Sequence, residues 1–136
     1  MIRALEISSS ALTAQRVRMD VIAGNMANAF STGQEDGTIR PFQRRVTMLR
    51  AGAPDGGPGV RVEQVTVDPS PPRMQYDPGH PHALRDGPWK GYVQFPNVNV
   101  TLEYIDALEA SRAYEANLAM MNVTRNMAQQ SIGLLA

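Results

Sequence analysis

The sequence predicts an α+β chain: long N- and C-terminal helices packing as an antiparallel coiled-coil-like pair, with a small β-rich, Pro/Gly-rich segment between them. Three observations carry this. All ten prolines lie between residues 31 and 99, which excludes long helices there and permits them on either side. Leu5, Leu12, Met19 and Met26 recur every seventh residue before that segment. After it, Tyr104, Ala107, Ser111, Tyr114, Leu118, Met121, Ala128, Ile132 and Leu135 follow three-four spacing.

The first element, residues 1–30, reads as an amphipathic helix with a heptad-like seam to which Ile22 and Ala29 also belong. Ser8, Gln15 and Arg16 weaken that seam by standing where a strong coiled coil places large apolar groups. The pattern ends in VIAGNMANAF, Val21 to Phe30, where Gly24, Asn25 and Asn28 are poor residues for a helix interior. Either the helix stops there, or those amides have a partner that one chain does not supply.

Residues 31–99 read as short strands joined by turn-forming chain. PFQRRVTML and GVRVEQVTV alternate apolar and polar positions, with Glu63-Gln64 shifting the phase of the second by one, as a bulge does. MQY and GYVQF supply two further short strands. AGAPDGGPG has the composition of a turn, and DPSPPR that of extended polyproline-like chain.

Residues 100–136 form the second helix, with Asn99 or Thr101 as its cap and Glu103 and Asp106 suited to the positive end of its dipole. Glu109 and Arg112 are spaced to pair on its surface. Two such helices cover only part of each other's apolar surface, so completing the core by oligomerisation is expected.

Composition narrows the function. The 136 residues carry 13 basic and 13 acidic side chains, so the net charge of zero argues against a nucleic-acid binder. No run reaches the ~18 apolar residues of a membrane span, and MIRALEISSSALTAQ lacks the apolar core of a cleavable signal peptide. With no cysteine, disulfides and thiolate metal sites are excluded. The two histidines, His80 and His82 in YDPGHPHALRD, read as a proline-stiffened surface loop in preference to a metal site. There is no G-x-S-x-G element, and GGPG has neither the lysine nor the strand-to-helix setting of a phosphate loop. Met120, Met121 and Met127 read as packing material. No catalytic residue, cofactor or metal is expected.

Two stretches are more specific. SSSALTAQRVRMDVIAGNMANAFSTG, Ser8 to Gly33, resembles the N-terminal signature of the bacterial flagellar axial proteins, the rod, hook and hook-associated family, with Asn25, Ala27 and Asn28 matching its N-x-A-N-like element. DPSPPRMQYDPGHP, then GYVQFPNVNV and EASRAYEANLAMMN, are similar to the basal-body rod branch of that family, and the likeness covers almost the whole chain in order. Ser9-Ser10 departs from the Ser-Gly pair common in the wider family, and Tyr104 stands where relatives often carry Met.

The resemblance implies a non-catalytic subunit of the proximal rod in the periplasm. It implies export through the flagellar type III apparatus without a cleaved signal, and partners that are other copies of the chain and other rod proteins. It implies terminal helices in an inner coiled-coil-like layer that transmits torque. The residues expected at subunit interfaces are Leu5, Leu12, Met19, Ile22, Asn25, Met26, Asn28, Asn97, Asn99, Tyr114, Asn117, Leu118, Met121, Ile132 and Leu135. Asn28 is expected to help end the first helix and Asn25 to offer its amide to a neighbouring element, fixing register. The competing readings are a coiled-coil adaptor or helical-assembly subunit unrelated to flagella, and a small hydrolase using the His80/His82 loop.

Overall fold

A computed structural model of the chain describes residues 2–33, 39–53 and 56–135, with the Leu135 side chain outside the description. The element order is α1 (Ile2–Ala27), β1 (Arg45–Ala51), β2 (Val60–Val67), β3 (Arg73–Tyr76), β4 (Tyr92–Phe95) and α2 (Val100–Leu135). This is the expected α+β arrangement, and each strand overlaps a segment read as a strand from the sequence.

The strands form two separate antiparallel ribbons, β1 with β2 and β3 with β4. In the first, Met48 faces Gln64 but Leu49 faces Val62, so Glu63 is the extra residue of a bulge at the predicted phase shift. A two-stranded ribbon is marginal in water by itself. This one is held along α1: Asn25 binds Arg45 at one end, and Val60 N–H donates to Ser10 Oγ at 3.1 Å at the other. Part of the AGAPDGGPG turn, Pro54 and Asp55, lies outside the described residues.

The approach at Ser10 is close enough to require a glycine. Gly59 has φ +143°, and a Cβ built there would stand 2.6 Å from Ser10 Oγ, which is itself committed to Ile7 O at 2.8 Å. Gly59→Ala is therefore expected to cost about 1–3 kcal/mol from backbone strain and overpacking together. Thermal unfolding checks this, and adding Ser10→Gly should recover the steric part but not the backbone part. An unchanged melting temperature in Gly59→Ala would mean that the ribbon does not sit this tightly on α1.

The helices run antiparallel, with Asn25 opposite Glu103 and Arg18 opposite Glu109. Asn99 caps α2, its Oδ1 accepting from Thr101 N–H at 3.0 Å and Leu102 N–H at 3.3 Å. Asn28 ends α1: its backbone N–H and its Nδ2 both donate to Gly24 O, at 3.2 and 2.9 Å. With 36 residues against 26, α2 runs past the start of α1 by several turns, roughly 15 Å.

The less exposed side of α2 keeps Ala107, Tyr114, Met121 and Ala128 of the predicted stripe and departs from it at the positions between them. A three-four repeat of buried and half-buried positions runs through Glu103, Ala107, Ala110, Tyr114, Asn117, Met121, Thr124, Ala128 and Ser131, mostly small or polar, with Val100, Asp106, Ser111 and Ala113 half-buried beside it. Ala128 and Ser131 lie on the part of α2 that runs past α1. Tyr104, Leu118 and Ile132, expected in the stripe, are 56%, 42% and 68% exposed. Small side chains let the helix axes approach, which turns the larger neighbours outward. In α1 and just after it the predicted seam is largely kept: Ile22 and Ala29 are buried and Leu5, Leu12, Met19 and Met26 half-buried, with Ser8, Ala14 and Asn25 buried as well. Glu109 pairs with Arg18 of α1 at 3.5 Å and not with Arg112.

The buried apolar core is correspondingly slight, comprising Ala14, Ile22 and Ala29 of the α1 region, Val93, Val98 and Ala110. Glu103, only 1% exposed, heads the fully buried side chains by volume. The centre of the molecule is therefore held by a polar cluster and not by aliphatic packing.

Candidate assembly interface

That cluster is built where three elements meet. The Asn25 carboxamide, 1% exposed, treats Arg45 as a neighbouring strand would: Oδ1 accepts from Arg45 N–H at 2.9 Å and Nδ2 donates to Arg45 C=O at 2.8 Å. The second Nδ2 hydrogen goes to Glu103 Oε2 at 3.0 Å. Both N–H donors and one of the two acceptor positions of the amide are satisfied within one chain. The expectation that Asn25 needs a partner from another molecule is thereby corrected, because α2 and β1 supply it.

Burying the Glu103 carboxylate is tolerable because its other oxygen receives Arg44 Nε at 2.6 Å. Arg44 also reaches Asp68 at 3.6 Å and Asp106 at 3.9 Å, while Arg18 approaches Asp106 at 3.9 Å. The cations and carboxylates alternate, so each buried charge faces an opposite one. Asp68 is held below the usual carboxylate range, chiefly by the Ser70 hydroxyl at 2.5 Å and the Ser70 N–H at 2.9 Å, with a smaller contribution from Arg44. Sequence reasoning assigned Glu103 only to the helix dipole and passed over Arg44; nothing local marks either as a clamp.

Outside this cluster α2 presents large apolar side chains on both flanks of its α1-facing seam. One flank holds Leu102, Ile105, Met120, Val123, Met127 and Leu134, each half or more exposed. They share a three-four repeat interrupted by Glu109, Arg112, Ala116 and Gln130. Several directly precede a seam residue, which sets this flank about 100° around the helix from the seam. The other flank follows the seam and holds Tyr104, Leu118 and Ile132 with Ser111 and Arg125.

The remaining nominated residues divide by surroundings. Ile22 is buried and Tyr114, Asn117 and Met121 half-buried within the chain, Asn117 Nδ2 donating to Ala113 O at 2.7 Å. Asn97 and Asn99 are exposed, the latter serving as the α2 cap. Leu135 lies outside the described side chains.

The histidine loop is tied to the chain after α1 through His82 and braced internally through His80. His82 Nδ1 lies 2.8 Å from Thr32 Oγ1, and His80 Nδ1 accepts the His82 N–H at 3.0 Å. No group of three or more metal-ligating side chains occurs among the described residues. Among the described residues, no helix is long and apolar enough to cross a membrane.

Comparison with known proteins converges on one family. Residues 5–33 match the family model described as flagella basal body rod protein, and residues 90–134 match the one described as flagellar basal body rod FlgEFG protein C-terminal. The chain is 38% identical to the flagellar basal-body rod protein FlgC of Borreliella burgdorferi, covering 96% of this chain and 95% of that protein. It is 40% identical to the protein of the same name from Yersinia enterocolitica, covering 95% and 93% respectively. For the Bacillus subtilis protein of that name the identity is 38%, with 94% and 93% covered.

Proposed function

Because this chain belongs to the FlgC family of flagellar basal-body rod proteins, it is a structural subunit of the bacterial flagellar basal-body rod, and we propose that the two apolar flanks of α2 are its assembly surfaces. The observation that supports this is the placement of large apolar side chains: most of them lie outside the intrachain seam, which apart from Tyr114 and Met121 is filled by small and polar ones. A helix with one buried seam and two apolar flanks has room for a helix of another chain on each side. The two flanks differ in sequence, so the contacts are heterologous, and such contacts propagate as a helical array if they do not close into a ring.

In this reading the Asn25–Glu103–Arg44 clamp belongs to the subunit itself. It fixes the angle between the helix pair and the β1–β2 ribbon, so that a load on the helices reaches the ribbon without slack. Torque passes by shear through side-by-side α2 helices of this chain and of other rod proteins. Catalysis has no part in the role, and the subunit acts in the periplasmic rod after type III export. The fully satisfied clamp forms only once residues far apart in the chain have met, which is consistent with folding after transit.

The test is a benzophenone photo-cross-linker placed at Val123, read by mass spectrometry of salt- and detergent-washed basal bodies. The expected product joins Val123 to a different rod chain or to a second copy. Cross-links confined to the same chain, in basal bodies that contain it, would remove α2 as the assembly surface.

A further inference from the structure

Beyond the helices lies a cleft of about 950 Å³, between the end of α1, the chain leading into β1 and the β3–β4 ribbon. Its chemistry is uneven. Arg40 and Arg45 line it, and neither has a carboxylate partner among the described residues, whereas Arg44 beside them is paired with Glu103, Asp68 and Asp106. The Arg45 guanidinium is propped over the Phe42 ring, 5.6 Å from its centroid, which orders it without neutralising it. Gln43, Gln94 and Asn97 also line the cleft, and their side-chain amides make no hydrogen bond within the described chain.

We propose that this cleft binds an extended, acidic polypeptide segment of another protein. A carboxamide matches a peptide group in both donor and acceptor, and this molecule already uses that match where Asn25 pairs with the Arg45 backbone. Three free amides along one cleft offer the same pairing to an incoming chain, which must be extended to present its backbone. The two unpaired guanidinium groups select carboxylate side chains on it, since planar forks pair bidentately with carboxylates. Phe42 and Val67 give the segment an apolar surface to lie on. This surface is distinct from the α2 flanks, so it stands or falls independently of the assembly reading.

The experiment titrates the full chain, below any concentration at which it associates, into a fluorescein-labelled octapeptide of alternating Glu and Gly, with a Lys-Gly octapeptide as the control. Anisotropy should rise with the acidic peptide only, and the affinity should fall as salt is raised. Arg40→Gln and Arg45→Gln should each weaken it about tenfold, the loss of one charge-assisted pair, while melting temperatures stay unchanged. Gln94→Ala keeps both charges, and should weaken binding by a smaller factor if the backbone is read. Equal binding of the two peptides, no binding of the acidic one, or full affinity in the Arg40→Gln/Arg45→Gln double variant would overturn the proposal.

Discussion

Asn25→Leu is expected to destabilise the folded chain by about 3–5 kcal/mol, a large part of the 5–15 kcal/mol that holds an ordinary domain together. The side chain is 1% exposed and makes three hydrogen bonds, to Arg45 N–H, Arg45 C=O and Glu103 Oε2. Leucine leaves all three groups without a partner. Each such group costs about 1–3 kcal/mol when it stays buried, and the charged one lies toward the upper end. Water entering at the ribbon edge offsets part of this, which keeps the total below a simple sum. Asn25→Asp should be worse although it is nearly isosteric. It retains the acceptor for Arg45 N–H but sets a carboxylate oxygen against Arg45 C=O and against Glu103 Oε2, where the donors now sit at 2.8 and 3.0 Å. Denaturant unfolding of the full chain measures both. A loss under about 1 kcal/mol in Asn25→Leu would show that the clamp is not the centre of the fold. Pairing it with Glu103→Leu separates the causes, because removing both partners relieves the stranded carboxylate and should recover part of the loss.

The clamp also shows where sequence reading stopped. The four strands, the Glu63 bulge, the Asn99 cap and the helical ends are local, and each was written in spacing or residue type within a dozen positions. Asn25 stood out as misplaced in a helix, but its partners lie 20 and 78 positions away, and no local rule names them. The facing of α2 was misread for a different reason. The predicted stripe and the seam have the same period and share Ala107, Tyr114, Met121 and Ala128; between these they differ by one residue, Tyr104, Leu118 and Ile132 against Glu103, Asn117 and Ser131. Hydrophobicity favours the first, because larger apolar groups gain more from burial. That rule assumes that the burial happens within the chain. Here the chain buries mostly small and polar residues against itself, with Tyr114 and Met121, and keeps most of its leucine, methionine and valine side chains on α2 exposed, an arrangement that makes sense for a subunit whose apolar surface is completed by neighbours.

Val123→Glu puts that assumption to its sharpest test, and should abolish rod assembly and motility while leaving the free subunit folded. Val123 is 51% exposed on the flank that also carries Met120 and Met127. In the isolated chain a glutamate there stands in water, so the change in stability should stay within about 0.5 kcal/mol. Between packed helices the same carboxylate is desolvated without a designed partner, which costs several kcal/mol, of the order of 3–5, at each contact. A loss of about 3 kcal/mol is already more than a hundredfold in association, and every added copy meets it again. Ala110→Glu supplies the contrast. Ala110 is 0% exposed in the α1-facing seam, so a charge there should unfold the subunit before assembly is reached. The comparison therefore reads two quantities on each variant, the melting temperature of the purified chain and swimming in soft agar. Normal melting with lost swimming in Val123→Glu assigns the flank to contacts between chains. Normal melting with normal swimming would mean that the exposed stripe of α2 faces solvent in the rod, and the assembly surface would have to be sought on the β ribbons instead.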